Sequence, residues 1–177
     1  MTNDLRHVAL ASPRLTLRSF TAADAADAFA HATPAITRFM AWDPSPSLAA
    51  FAEIWRTWLP KMAAGTEVSL VVRATSSGEF LGVVGLHEIG ATEPAIGLWI
   101  KAAAQRSGYG REAIATTVAW ASRELGAIAF VYPVSIANQP SRRLAESLGG
   151  TLIGTRQLHK PSGGVLDEVV YRIPQPS

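Results

Sequence analysis

The sequence has no cysteine, few charged residues and no long apolar run. Without cysteine, the chain has no disulfide, no thiolate metal site and no thiol nucleophile. Charged residues make up 17% of the chain against a typical quarter, and the net charge of +2 comes from scattered Lys and Arg. Such a distribution of charge does not indicate a nucleic-acid-binding surface.

Two further absences bear on location. No apolar run approaches the roughly 18 residues that would span a bilayer. Residues 1–4 lack the charged and then apolar pattern of a signal peptide. We therefore expect a cytoplasmic protein that does not associate with membranes.

The chain is instead rich in apolar residues, which make up 48% of its 177 residues. This length fits a domain of ordinary size, which buries a single core without disulfides or bound metal. No internal repeat or interdomain linker interrupts the pattern, so we expect residues 1–177 to form one domain.

Hydrophobic periodicity predicts successive strands and helices. Strands are expected at 14–19, 67–73, 80–89, 95–101, 128–136, 151–158 and 165–173. Helices are expected at 22–31, between the Ser47 cap and Gly65, from Gly108 to Gly126, and at 140–148, with a turn-rich stretch at 34–46. Short turns between several strands favour antiparallel pairing. The pattern predicts an α/β (α+β) fold, with a mixed sheet and helices on its faces.

The turn before the long helix carries the sequence Gln105-Arg106-Ser107-Gly108-Tyr109-Gly110-Arg111. Its two glycines would let backbone N–H groups approach a diphosphate, and the helix N-terminus adds its positive dipole end. Arg106 and Arg111 would add charge. By itself, a Gly-x-Gly fits a plain strand-to-helix turn equally well. Ala113 excludes the Gly-x-Gly-x-x-Gly dinucleotide fingerprint, and the Gly-Lys-Ser/Thr of a Walker loop is absent.

In this context Gln105-x-x-Gly108-x-Gly110 resembles the acetyl-CoA pyrophosphate loop, Gln/Arg-x-x-Gly-x-Gly/Ala, of GNAT N-acetyltransferases. Other segments resemble the Rim-type branch of that superfamily, which acetylates the N-termini of ribosomal proteins. They are Pro13-Arg14-Leu15-x-Leu17-Arg18 with Asp24, Ile36-Thr37-Arg38-Phe39-Met40-x-Trp42, and Asn138-x-x-Ser141-x-x-x-Ala145-Glu146-x-Leu148-Gly149. The resemblance covers about residues 12–173.

The resemblance implies the GNAT acyl-CoA N-acyltransferase fold. That fold has a mixed, mostly antiparallel sheet of about seven strands with about four helices. Its fourth and fifth strands, here 95–101 and 128–136, would splay apart. The implied reaction transfers an acetyl group from acetyl-CoA, without a metal, to a peptide N-terminus or a small amine by direct attack in a ternary complex. A homodimer would be in keeping with the family.

The resemblance also assigns roles to individual residues. A backbone N–H near Ile100 would stabilise the carbonyl oxygen, and Ser141 would give a proton to the departing thiolate. Asn138 would bind the pantetheine arm, although Asn138 and Ser141 also fit a simple helix cap. The residues expected to bind acetyl-CoA are Leu98, Trp99, Ile100, Gln105, Arg106, Ser107, Gly108, Tyr109, Gly110, Arg111, Asn138, Ser141 and Arg143.

The general base for the amine is left open. Many relatives carry Glu directly before the Ile-Gly of the fourth strand, where this chain has Ala95. The nearest carboxylates, Glu88 and Glu93, are candidate bases, but each is more typical of a solvated strand end. The missing carboxylate also admits a second hypothesis, an acyl-CoA-binding module that has lost catalysis.

The acceptor groove of the family lies between the early helices and the loop that joins the last two strands. Phe39, Trp42 and Trp58 are expected to line it. Trp55 and Trp58, spaced i, i+3, also fit core positions. We expect no metal at His87-Glu88, because no second His follows at helical spacing.

Overall fold

The computed structural model describes residues 4–176, which form one eight-stranded sheet with helices on both faces. The strands are β1 (Ala9–Ala11), β2 (Leu15–Ser19), β3 (Val68–Ala74), β4 (Phe80–His87), β5 (Ala95–Ile100), β6 (Ala129–Ser135), β7 (Thr151–His159) and β8 (Val165–Pro174). The helices are α1 (Ala25–His31), α2 (Pro34–Thr37), α3 (Leu48–Arg56), α4 (Trp58–Ala63), α5 (Tyr109–Leu125) and α6 (Gln139–Ser147). Short 3-10 turns at Ala22–Asp24 and Ala102–Ala104 precede α1 and the turn before α5.

The strands lie in the order β1-β2-β3-β4-β5-β6-β8-β7. Every neighbouring pair is antiparallel except β5 and β6, which are parallel. These two share one aligned pair, Ala95 with Val131, whereas β4 and β5 share six. β5 and β6 therefore diverge after Ala95, which confirms the splayed pair and opens the sheet along β5.

Two apolar cores lie on opposite faces of the sheet, because successive side chains of a strand point to opposite sides. Leu70 of β3 packs in the larger core with Ile114 of α5. Its neighbour Val71 packs in the smaller, aromatic core with Phe51 and Trp55 of α3. Trp55 is thus a core residue.

Local signals set the ends of α5 and the start of α3. Gly108 precedes α5 and Gly126 follows it, both in the left-handed region with φ of 78° and 72°. The side chain of Ser47 accepts a hydrogen bond from the backbone N–H of Ala50 at 3.1 Å, which confirms the predicted N-cap.

The structure differs from the sequence prediction in three places. β1 is three residues long, too short for a period-2 pattern to reveal. The turn-rich stretch contains the single helical turn α2. The helix expected between Ser47 and Gly65 is divided at Thr57 into α3 and α4. Pro60 causes this division, because it has no N–H for the Arg56 carbonyl and its ring crowds that carbonyl.

Within residues 4–176, none of the helices is both long and apolar enough to cross a membrane. Residues 1–3 of the segment considered as a signal peptide lie outside the described part of the chain.

Candidate active site

The divergence of the sheet leaves one edge of β5 without a neighbouring strand from the described chain beyond Ala95. The other edge of β5 is bonded to β4 along its whole length. Leu98 and Ile100 pack on the α5 side, whereas Trp99 points to the opposite face. Backbone groups along the open edge can therefore bond a ligand in the opening, as expected for this strand.

The turn after β5 lies at the end of this opening. Its residues 105–108 are exposed, and Arg106 and Gly108 have left-handed backbones with φ of 63° and 78°. Nε2 of Gln105 donates to the carbonyl oxygen of Ile100 at 3.0 Å. This bond ties the turn to the end of β5.

The N-terminus of α5 follows directly. Because the helix begins at Tyr109, the N–H groups of residues 109–111 have no partner within the helix. They lie beside the exposed turn, where the helix dipole is positive. The combination is suited to bind an anion, and the open edge of β5 leads to it.

Arg14, directly before β2, and Glu112, in the first turn of α5, together hold the turn. Glu112 accepts hydrogen bonds from Ser12 Oγ at 2.7 Å, Arg14 N at 2.9 Å and Arg14 Nε at 2.7 Å. Nη1 of Arg14 donates to the Ser107 carbonyl at 2.9 Å, and the guanidinium lies 4.7 Å from the centre of the Tyr109 ring. We name Ser12, Arg14 and Glu112 the strap.

Electrostatics favour the charged form of the strap carboxylate. Burial raises the pKa of Glu112, but the hydrogen bonds from Ser12 and Arg14 outweigh burial and hold that pKa below its usual range. Sequence analysis missed the strap, because Arg14 and Glu112 are 98 positions apart and no local pattern links them.

The two glycines of the turn serve different purposes. A Cβ at Gly108 would lie 3.2 Å from Nη2 of Arg14, and the positive φ already favours glycine there. A Cβ at Gly110 would lie 2.9 Å from Leu98 Cδ2 and 3.1 Å from Leu144 Cδ1. Gly110 therefore lets α5 pack closely against β5 and α6, a constraint that the interpretation of both glycines as room for a diphosphate did not include.

The arginines near the turn have different partners. Arg111 donates to Oγ of Ser147 at 3.2 Å and to its carbonyl at 3.3 Å, so its charge is directed to the C-terminus of α6. Arg142 donates from Nε to Tyr171 Oη at 3.2 Å. Arg106 and Arg143 are exposed to solvent, so both side chains can reach a ligand.

Ser141 lies in the first turn of α6, next to the end of β6. Its Oγ is 2.7 Å from Oη of Tyr132, which sequence analysis did not single out. Burial raises the pKa of Tyr132, so its hydroxyl stays protonated. Oδ1 of Asn138 accepts from the Ser141 N–H at 3.4 Å, which is the helix cap. The cap does not use the Asn138 amide NH₂, which remains able to donate to a carbonyl.

The two candidate carboxylates occupy different surroundings. Oε1 of Glu93 accepts from Nε and Nη2 of Arg172 at 2.9 and 2.8 Å, so Glu93 is held against β8. Glu88 is exposed and has a left-handed backbone with φ of 58°. Within residues 4–176, no three His, Asp or Glu side chains are grouped to hold a metal ion.

Aromatic side chains cover the face of β5 opposite α5. The ring of Trp99 lies 6.4 Å from that of Trp42 and 5.7 Å from that of Phe80. Phe39 is half-buried under the guanidinium of Arg38, 4.5 Å away. The structure places Trp42 against Trp99 on this face of β5. Contacts of Phe39 and Trp42 with the acceptor stay predictions.

Trp58 has different neighbours. Its ring lies 5.1 Å from that of Phe20 and 5.9 Å from that of Phe51, within the aromatic core. These contacts give Trp58 the packing role that its i, i+3 spacing from Trp55 also fits. A contact between Trp58 and the acceptor stays a prediction.

The turn between β7 and β8 is bonded to Thr37 and Asp43. Nζ of Lys160 donates to the Thr37 carbonyl at 3.1 Å and lies 3.0 Å from Oδ1 of Asp43. The Ser162 N–H donates to Asp43 Oδ2 at 3.1 Å. The hydrogen bonds from Lys160 and Ser162 hold the pKa of Asp43 below its usual range. The ion pair joins the two loops expected to border the acceptor groove.

A family model described as the acetyltransferase (GNAT) domain matches residues 14–151. The matched segment contains the splayed strands β5 and β6, the turn before α5, and the helices α5 and α6. No curated protein sequence matches the chain significantly.

Solved acetyltransferase structures share the fold at low sequence identity. A proposed ribosomal-protein-serine acetyltransferase from Vibrio cholerae is 19% identical, with a TM-score of 0.81 over 96% of this chain and 98% of that chain. Spermidine N-acetyltransferase from Vibrio cholerae, in complex with CoA and spermine, is 19% identical, with a TM-score of 0.79 over 93% and 97%. Ribosomal-protein-S5-alanine acetyltransferase from Vibrio fischeri is 18% identical, with a TM-score of 0.77 over 96% and 98%.

Proposed function

Because this chain belongs to the GNAT acetyltransferase family, we propose that it transfers an acetyl group from acetyl-CoA to a primary amine. The observation that carries the proposal is the open edge of β5, which ends at an exposed turn and at the free N–H groups of α5. A linear cofactor with an anionic diphosphate needs this arrangement of backbone donors followed by an anion site.

We assign the parts of acetyl-CoA to residues along this path. The N–H groups after Gly108 and the charge of Arg106 would bind the diphosphate, and Arg143 is exposed where it would bind the 3′-phosphate. The edge of β5 near Leu98 would bond the pantetheine arm, with the Asn138 amide on the opposite side.

The chemistry that these residues would perform is direct acyl transfer. The amine nitrogen attacks the thioester carbonyl carbon, so a C–N bond forms and the C–S bond breaks. A backbone N–H near Ile100 stabilises the negative charge on the carbonyl oxygen. Ser141 gives the departing thiolate a proton and takes one from Tyr132, 2.7 Å away. The proton that the nitrogen loses as the amide forms balances the one that the thiolate takes, and Tyr132 recovers its own proton through Ser141.

The acceptor side favours a peptide N-terminus or a small monoamine. Its surface is aromatic, and the carboxylate of Asp43 is neutralised by Lys160. A polyamine would need several unpaired carboxylates to balance its charges. The solved relatives act on ribosomal proteins and on spermidine, so both acceptor classes need to be tested.

The test is release of CoA thiol from acetyl-CoA across N-terminal peptides, polyamines and small amines, with the product mass measured. We expect turnover with at least one peptide or monoamine and a loss of at least tenfold in kcat for Ser141→Ala. The alternative, an acyl-CoA-binding module without catalysis, predicts a thermal shift with acetyl-CoA, no thiol release, and no effect of Ser141→Ala. Absence of both thermal shift and thiol release would contradict both functions.

A further inference from the structure

Three cross-strand pairs of β4 and β5 lie in a row on the acceptor face. They are Val83 with Trp99, Gly85 with Gly97, and His87 with Ala95. Residues two apart on a strand, and residues directly opposite on neighbouring strands, share one face of a sheet. Val83 and Trp99 belong to the aromatic core, which fixes that face as the one opposite α5.

The sheet is uncovered at Gly97 of the middle pair. A Cβ built on Gly97 meets no heavy atom within 4 Å. A Cβ on Gly85 would lie 2.7 Å from Nε2 of His87, so the imidazole extends back over Gly85. A space without side chains is therefore bounded by Trp99 at one end and by the His87 ring at the other. It lies directly on β5, beside the edge proposed to bind the thioester.

A carboxylate orients the His87 ring. Nδ1 of His87 lies 3.3 Å from Oε2 of Glu67, whose Oε1 accepts from Lys61 Nζ at 3.0 Å. A carboxylate beside Nδ1 favours the tautomer with its proton there and leaves the lone pair on Nε2. Glu88 follows His87 in the chain and is exposed.

We propose that His87 is the general base for the acceptor amine, with Glu67 as its positioning residue, and that the amine stands over Gly97. This inference rests on the proposed function. His87 pairs with Ala95, so it supplies a base next to the position where the carboxylate of many relatives is missing. Its side chain is 49% exposed, so a proton taken from the amine can pass to water.

The step balances without a further reactant. Nε2 of His87 takes one proton from the ammonium group and passes it to water, and the freed lone pair forms the C–N bond as the C–S bond breaks. As the amide forms, the nitrogen loses a second proton to Nε2, and this proton balances the one that the thiolate takes. The thiolate receives its proton through Ser141.

The first experiment compares wild type, His87→Gln and His7→Gln in acetyl-CoA titrations and in pH profiles of kcat/KM. His7 is exposed and lies outside the site, so His7→Gln is the matched control. Loss of a general base costs about 10²-fold or more. We expect His87→Gln to lose at least tenfold in kcat at neutral pH, with unchanged acetyl-CoA affinity. The deficit should narrow at alkaline pH, where the amine deprotonates unaided, and added imidazole should partly restore His87→Ala.

Two more variants test the role of Glu67 and the open space over Gly97. Glu67→Gln should lower kcat, because the imidazole loses the carboxylate that orients it, and should leave KM for the amine and acetyl-CoA affinity intact, a split that a merely structural role would not give. Gly97→Val should fold, because its side chain enters open space, and should raise KM for the amine at least fivefold. If wild type is active and His87→Gln matches it in rate and pH profile, the assignment of the base is overturned and the proposed function stands. If wild type releases no thiol with any acceptor, both are overturned.

Discussion

Replacing Glu112 with glutamine tests whether the strap fixes the turn before α5. The carboxylate accepts three hydrogen bonds, from Ser12 Oγ and from two nitrogens of Arg14. The carboxamide of glutamine has only one acceptor oxygen. Its NH₂ group would face the N–H and O–H donors of Arg14 and Ser12, with which it cannot form these hydrogen bonds. Glu112 also lies in the first turn of α5, where a negative charge is favourable.

The magnitude follows from these contacts. A hydrogen bond to a charged group contributes about 1.5–3 kcal/mol, and a charge at a helix N-terminus about 0.3–1 kcal/mol. Arg14 is half exposed, with a side-chain exposure of 49%, so solvent screening favours the lower ends of these ranges. We expect Glu112→Gln to lower the free energy of unfolding by about 2–3 kcal/mol at pH 7. The turn should loosen through Arg14, so acetyl-CoA affinity should fall about three- to tenfold.

The pH dependence has a defined sign. The pKa of Glu112 is lowered in the folded state, so the carboxylate stabilises the fold above the pKa it has when unfolded, about 4.5. That contribution is lost as pH falls through the folded pKa. The difference between wild type and Glu112→Gln should therefore be largest near neutrality and shrink below about pH 4.

Urea unfolding at pH 7 and at pH 3.5 measures both effects. Glu53→Gln is the matched control, since Glu53 pairs with Arg56 at 2.6 Å on the surface with side-chain exposures of 76% and 59%. Such a pair contributes about 0–1 kcal/mol. If Glu112→Gln destabilises no more than Glu53→Gln, or if its effect is equal at both pH values, the argument for the strap is wrong.

Three further outcomes are expected. Tyr132→Phe should keep acetyl-CoA affinity and lower kcat about tenfold, measured by thiol release, because Ser141 loses its proton source. Gly108→Ala and Gly126→Ala, which share a left-handed backbone, should each lose about 1–2 kcal/mol in urea unfolding, but only Gly108→Ala should weaken acetyl-CoA binding. Asp24→Asn should lose about 2–4 kcal/mol at pH 7, because buried Asp24 binds Arg18 and Arg73. Burial raises the pKa of Asp24, but its hydrogen bonds outweigh burial and hold that pKa below its usual range. The loss of stability in Asp24→Asn should therefore shrink below about pH 4, which acid unfolding of both proteins would show.

The elements that sequence predicted well are those set by local chemistry. Glycine ends α5 on both sides because only glycine adopts positive φ without strain, and that signal is present in the chain itself. The Ser47 cap is likewise a contact between near neighbours. The splayed strands were expected through the family resemblance alone, since no periodicity in either strand shows that their pairing stops after one residue.

The missed features depend on residues far apart in the chain. Arg14 reaches Glu112 across 98 positions, and β1 is defined by its pairing with β2. Tyr132 precedes Ser141 by only nine positions, but a strand, a turn and a helix cap must all form before the hydroxyls meet. The register of β4 against β5 decides that His87 lies beside Ala95, and the sequence does not specify that register.

The two glycines of the turn show how one motif combines separate constraints. Gly108 is required by its backbone, since φ of 78° penalises any side chain whatever its surroundings. Gly110 has an ordinary helical backbone and is constrained by contact, since its Cβ would meet the flexible ends of Leu98 and Leu144. Those ends can shift by tenths of an ångström for a methyl group but not for a larger side chain. The structure thus explains why the family motif allows alanine at the second glycine and not at the first.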